Sequence, residues 1–330
     1  MNEDLTSGGI QNDGAMTIDL SREAHAYGAA ARQALEAAGG AALVERAEAE
    51  PERRESVFAP VLAELGAWEL DPRGDQDDLE AAAALCRAAG YWCFAYPLAE
   101  RLARPADLSV DGLAVVDGAR PAAALAGLGL RWATVTLDGK RALVDRVRPD
   151  GPPRTTAFAA SLELSPADEA GAKDLALALT LPSWTLLGML DQAIDLTRAH
   201  VLARTQFGQP LSAFQGVQFQ LTEAEVERSG LDMLARYTLW SIQAGLPEAA
   251  DDALALRMAA LEAADVVFRV AHQLHGAMGF CDETPLSWLS RYSQPLRRLP
   301  HGLSATRAAL TSRLGRHGLT GLFNAESAEP

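Results

Sequence analysis

The chain has 330 residues, 48% of them hydrophobic, enough to bury a core and build one to three domains. Its 29 Lys and Arg against 44 Asp and Glu leave a formal charge of −15, and no dense basic stripe interleaves with aromatics, which excludes a nucleic-acid surface. The longest uncharged stretch, between Asp174 and Asp191, is shorter than the ~20 residues a spanning helix needs and contains Pro182, so no membrane partner is expected.

Taken in chain order, residues 1–16 are acidic and Gly-rich without the basic-then-apolar pattern of a secretory signal, and read as a flexible leader. Residues 17–104 alternate alanine-rich helical pattern with short polar breaks and form an N-terminal helical domain. Over 105–173 Val, Thr and Gly increase, and LAVVDG, RWATVTLDGKRALVDRV and TTAFAASLEL read as short strands with a turn at Asp138-Gly139, giving a reduced β domain. From 174 to 330 the pattern is helical again, with apolar-periodic stretches at 182–204, 214–244 and 248–275 long enough for bundle helices. Gly208-Gln209-Pro210, Gly245-Leu246-Pro247 and the segment from Gly276 to Pro285 punctuate them. The fold class is therefore mostly α with a small middle β domain. Cys86, Cys93 and Cys281 form no CxxC pair and no metal-ligand cluster, and their odd number fits a reducing cytoplasm.

Two stretches carry more than pattern. Arg204-Thr205-Gln206-Phe207-Gly208-Gln209-Pro210-Leu211, followed by Phe214-Gln215-Gly216-Val217-Gln218, puts an arginine and an aromatic at the end of one long helix just before the next. About seventy residues further on, Gln273-Leu274-His275-Gly276-Ala277-Met278-Gly279-Phe280 is followed by Glu283, Pro285 and Arg291. Both resemble signature segments of the acyl-CoA dehydrogenase family, and the resemblance is closest over roughly 180 to 300. It implies an N-terminal helical domain, a β domain and a C-terminal four-helix bundle, the order that composition and periodicity give independently.

The resemblance also implies FAD. Arg204 and Phe207 match a family arginine and phenylalanine that reach across a dimer interface to FAD bound mainly by the neighbouring subunit, the guanidinium pairing with the pyrophosphate. Gln273, Gly276 and Gly279 match a turn whose glycines let backbone approach the adenosine-pyrophosphate portion. Each has a plainer reading beside this one: an arginine complementing a helix C-terminus, a phenylalanine in the core, glycines that stop a helix.

The departures are as informative. The family's reaction takes an α-proton onto a carboxylate while the β-hydrogen leaves as hydride to flavin. That glutamate commonly lies nine residues beyond the arginine matching Arg291, where this chain has Pro300, and no Asp or Glu occurs between Arg291 and Glu326. Other members carry the carboxylate on the first bundle helix, where counting back from Arg204 places Ala178, followed by Leu179. Asp174 and His301 are the alternative bases, against the plainer readings of a carboxylate serving helix-start amides and a loop histidine. A Thr/Ser-Glu-Pro-Gly-like flavin loop has no counterpart between 95 and 170, and Trp132 matches either a tryptophan near the flavin or sheet core. Arg297-Arg298 suits CoA phosphates, a partner's acidic face or a solvated loop.

With no catalytic residue and with its cofactor-facing residues kept, the chain resembles the non-catalytic subunit of heterotetrameric (α2β2) actinobacterial steroid side-chain acyl-CoA dehydrogenases. That resemblance implies a second acyl-CoA dehydrogenase-like subunit that supplies the carboxylate, FAD shared between the two, an acyl-CoA substrate and an electron-transfer acceptor. Two alternatives stand: a flavin-free scaffold or regulatory homologue, and a self-sufficient homomeric dehydrogenase using Asp174 or His301.

Overall fold

A computed structural model describes residues 18–149 and 158–317; the leader at 1–16 lies outside the described residues. The first layer contains α1 (Arg22–Ala37), α2 (Ala42–Ala49), α3 (Arg54–Glu64), α4 (Gln76–Tyr91) and the short α5 (Leu98–Leu102). Polar residues before α1 and α4 start them. Ser21 Oγ accepts from the Ala24 amide and the Asp75 carboxylate from those of Asp77 and Asp78, satisfying N–H groups that have no partner within the helix.

The sheet contains β1 (Gly112–Val115), β2 (Ala122–Ala123), β3 (Trp132–Val135), β4 (Arg141–Pro149) and β5 (Ala160–Pro166), in the spatial order β1-β3-β4-β5-β2. Only β1 and β3 pair parallel; the others are antiparallel, with β3 and β4 joined through the Asp138-Gly139 turn where Gly139 has φ +84°. The two-residue β2 had no sequence signal, being too short for alternation to register. Trp132 is buried against the sheet, and a Cβ on Gly112 would lie 2.3 Å from its ring, so the core reading of this tryptophan holds.

The last layer is built on α6 (Leu175–Ala203), α7 (Gln215–Gln243) and α8 (Ala249–His275), with α10 (Leu303–His317) against α8 and α9 (Pro285–Arg298) packed on α6 and α8. Helix α6 starts seven residues ahead of the 182–204 stretch and continues through Pro182. Proline has no N–H to give the carbonyl four residues back, Ala178, yet burial of both neighbouring turns keeps the helix together.

Helix α6 is central because α4 meets it backbone to backbone. A Cβ on Gly90 would lie 1.9 Å from the Thr185 carbonyl oxygen, and one on Gly188 the same distance from that of Arg87, so the helices cross antiparallel on a pair of glycines. Beside the crossing, Arg87 of α4 binds Asp191 of α6 at 2.6 Å and Asp232 of α7 at 2.7 Å, tying the helical layer to the bundle. Among the described residues no helix is long and apolar enough to cross a membrane. Gly188→Ala should lower the unfolding free energy by about 1–3 kcal/mol, as overpacking does. A denaturation midpoint equal to the parent's would contradict the close crossing.

Candidate functional site

A cavity of about 110 Å3 opens where the three layers meet. The approach to α5 supplies Phe94 to Pro97, α5 itself Ala99 and Glu100, the sheet supplies Ala114, Val115 and Ala122 to Ala124, α6 supplies Ala178, Leu179 and Pro182, and the turn after α9 supplies Leu299 and Pro300. Ala178 and Pro300, far apart in sequence, are thus two walls of one cavity, and neither side chain can accept a proton.

Two buried arginines brace these walls. Arg257 of α8 donates to the carbonyls of Leu296, Leu299 and His301 at 3.2, 2.6 and 2.9 Å, fixing the turn that carries Pro300, and burial lowers its pKa to about 10. Arg54 donates to the carbonyls of Ala95, Ala124 and Ala126 at 2.9, 3.1 and 2.8 Å and lies 4.0 Å over the Phe158 ring; burial lowers its pKa to about 9. The donors go to backbone oxygens, so these cations hold shape.

Sequence reasoning missed Glu100, the one carboxylic acid among the described residues lining the cavity. Burial raises its pKa, opposed by its own backbone N–H and by the charge of Arg54. Only the packing of α5 against β1 and α6 brings it there, and no local motif announces that.

Both alternative bases are corrected by the structure. Asp174 has no solvent exposure and does not line the cavity; Arg141 Nε and Nη2 contact it at 2.7 and 2.5 Å and Arg73 Nη1 at 2.9 Å. Its side chain caps no helix-start amide either, because the two arginines occupy it. His301 likewise stands outside the cavity lining, its Nδ1 3.8 Å from the Asp117 carboxylate. Arg297 pairs with Asp265 on α8.

The two signature segments lie elsewhere, at the far ends of α6 and α8. Thr205–Gln206 (β6) and Gln209–Pro210 (β7) form a hairpin whose turn, Phe207 at φ +51° and Gly208 at φ +81°, needs two left-handed residues in succession. The Phe207 side chain is 93% exposed, which rules out its core reading. Arg204, the C-cap of α6, is exposed and has no ion pair or side-chain hydrogen bond among the described residues. Gln273 is exposed on the last turn of α8, and Gly276 caps that helix at φ +60°, ψ −141°, a conformation essentially confined to glycine. A Cβ on Gly276 would meet nothing within 4 Å, whereas one on Gly279 would lie 3.1 Å from His272 Nδ1 and from His275 Cβ. Gly276 leaves an open face and Gly279 closes an inner one.

A helical layer, a small sheet and a long-helix bundle that enclose a cavity at their junction define the acyl-CoA dehydrogenase fold. Residues 180–305 match the family model for the acyl-CoA dehydrogenase C-terminal domain. Over these residues the chain carries an acyl-CoA dehydrogenase C-terminal domain, and members of that family are FAD-dependent flavoproteins. It is 32% identical over 147 residues to the acyl-CoA dehydrogenase FadE28 of Mycobacterium tuberculosis, a match covering 44% of this chain and 43% of that relative. The match therefore spans less than half the length of that relative. In structure it is similar to a variant of the Tcur3481-Tcur3483 steroid ACAD, with TM-score 0.73, 19% identity, and 90% of this chain and 99% of that one covered. It is also similar to a chain of the ChsE4-ChsE5 complex from Mycobacterium tuberculosis, with TM-score 0.69, 18% identity, and 93% and 100% covered.

The residues present fit FAD unequally. Ligand pockets for drug-sized molecules run to roughly 300–1,000 Å3, so a space of about 110 Å3, walled by small apolar residues and aromatics with Arg54, Glu100 and Arg257 among them, does not fit a flavin ring with a thioester. The unpaired Arg204 and the open Gly276 turn do fit the phosphate portion of a cofactor. Asp174→Asn should destabilise the fold by about 3–5 kcal/mol, the usual result of breaking a buried ion pair. The loss would be read in chemical denaturation; an unaltered midpoint would return Asp174 to the list of free carboxylates.

Proposed function

We propose that this chain is the base-deficient subunit of a heteromeric FAD-dependent acyl-CoA dehydrogenase, taking part in α,β-dehydrogenation of an acyl-CoA thioester. One observation carries the reading. Both positions from which the family supplies its carboxylate, Pro300 and Ala178, share a cavity with no proton acceptor at either, while Arg204 and the Gly276 turn stand open to solvent. When bound, FAD supplies the hydride acceptor. In this proposal Arg204 pairs with the cofactor's pyrophosphate, the Gly276 turn offers backbone at close approach, and a second acyl-CoA dehydrogenase-like subunit supplies the carboxylate and most of the flavin contacts. The assembly is α2β2, FAD is shared between unlike chains, and an electron-transfer acceptor reoxidises it.

The exposed surface supports a partner. Helix α7 presents Phe219, Val226 and Met233, each at least 62% exposed and spaced seven residues apart, as an apolar stripe along one face. Leu202, Phe207, Met278 and Phe280 are also exposed, at the ends of α6 and α8 where the signature segments lie. The likeness to steroid ACAD chains, one of them in a two-component complex, favours a steroid side-chain CoA ester as substrate. Cytoplasmic residence accords with the free Cys86, Cys93 and Cys281.

Co-expression with the candidate partner should give one FAD per pair of unlike chains, measured by mass and flavin absorbance; one FAD per chain contradicts the proposal. In that complex, Arg204→Ala should lower flavin occupancy severalfold, since a charge-assisted contact to phosphate contributes about 1.5–3 kcal/mol. Unchanged occupancy removes Arg204 from the site.

Glu100 favours a second reading, in which this chain's own cavity provides the proton acceptor. The purified chain would then be yellow without a partner and reduce an acceptor with acyl-CoA, and Glu100→Gln would abolish that turnover. Colourless, inactive single-chain material disposes of this reading.

A further inference from the structure

We infer that His200 and His275 are a positioning pair, whose face-to-face packing holds the Arg204–Phe207 hairpin and the Gly276–Gly279 turn together as one surface. The inference rests on the cofactor reading for what that surface binds, but not for the packing itself.

The rings lie 4.4 Å apart between centroids at 22°, so they stack. His200 belongs to the last turn of α6, and its carbonyl accepts the Arg204 amide at 2.8 Å, which places the arginine one turn from the ring. His275 is the last residue of α8, and its Nδ1 lies 2.8 Å from the Ala271 carbonyl. A carbonyl only accepts, so Nδ1 carries the proton, which fixes the tautomer and limits rotation of the ring. The turn then folds back onto the same group: a Cβ on Gly279 would crowd His272 and His275 at 3.1 Å, and Phe280 stacks on His272 at 4.4 Å and 16°. Two segments about seventy residues apart in sequence are thereby joined through aromatic rings.

The pair stacks best when neutral. Burial lowers the pKa of His200, His272 and His275. His275 further lowers both of the others, Arg204 lowers His200, and Arg297 lowers His272. Backbone contacts of Gly279 with His272 and of Ala271 with His275 act the other way, but the charged groups acting on these rings across α6, α8 and α9 are cations, so an added proton meets repulsion. For a base depressed in the folded state, the stabilisation is fully present above the ordinary histidine value near ~6.5 and is lost as pH falls through the depressed values. Acid should loosen both segments together.

Hydrogen exchange of the full-length chain tests this, comparing protection at 204–211 and 273–284 with that of α7. His275→Ala should lower protection of the distant hairpin roughly two- to tenfold, the range expected for one aromatic pair. His275→Phe, which keeps a flat ring without the charge, should restore protection and flatten its decline between about pH 7.5 and pH 5.5, a range spanning the ordinary histidine value. Hairpin protection unchanged in His275→Ala overturns the inference, as does full acid sensitivity persisting in His275→Phe. Failure of the cofactor reading would show in flavin occupancy of the Arg204→Ala complex and would leave these exchange rates untouched.

Discussion

A carboxylate with no contact to water holds the three layers in register. Asp174 stands where α6 begins, clasped by Arg73 from the loop before α4 and by Arg141 from the first residue of β4, with Asp107 a further 3.0 Å from Arg141. Burying charge is costly unless each ion is matched, so this geometry tolerates little displacement of any layer relative to the others. One helical turn further along α6 is Ala178, on the cavity wall. The ion cluster and the glycine crossing at Gly90 and Gly188 together fix α6 in position and angle. Every feature of the site is then measured from that helix: the cavity near its start, the hairpin at its end.

The two ends differ in chemistry. Near its start, charged side chains are spent on structure, with Arg54 and Arg257 occupied by carbonyls and Asp174 by arginines. At its end, Arg204 has no ion pair or side-chain hydrogen bond among the described residues, Gly276 leaves room for an approaching group, and Phe207 points into solvent. An anion arriving there meets an exposed guanidinium and open backbone; one arriving in the cavity meets mostly apolar walls, the carboxyl of Glu100 and two guanidinium groups already committed to carbonyls. A division of labour between unlike chains is consistent with such a gradient, because recognition at a rim survives when the interior loses its acid.

Much of this was legible in the sequence because it is local. Helix periodicity over 214–244 and 248–275 anticipated α7 and α8 to within a residue or two, since an apolar stripe is written at fixed spacing. The turn glycines at 208, 245 and 276 all have positive φ, which is why punctuation in the sequence located real chain reversals. What was not legible depends on contacts between distant segments. Asp174 looked like a free or capping carboxylate because its two arginines are 33 and 101 positions away. Nothing local to Glu100 sets it apart, and the two-residue β2 has no pattern at all.

The Glu100 carboxyl also bears on how a proton would be handled in the cavity. Arg54, which gives hydrogen bonds to three carbonyls, also acts on it electrostatically, but burial is the larger influence and raises the pKa. Burial moves the carboxyl toward its neutral form relative to a free glutamic acid, and only the ionised form accepts a proton. Abstraction of an α-proton needs the ionised form within about 3 Å of the carbon acid, in a space that also admits the thioester. A cavity of about 110 Å3 is narrow for that second requirement. Glu100 is therefore a polar group in the cavity wall, while in the proposed complex the proton acceptor for an acyl-CoA lies on a surface that another chain brings.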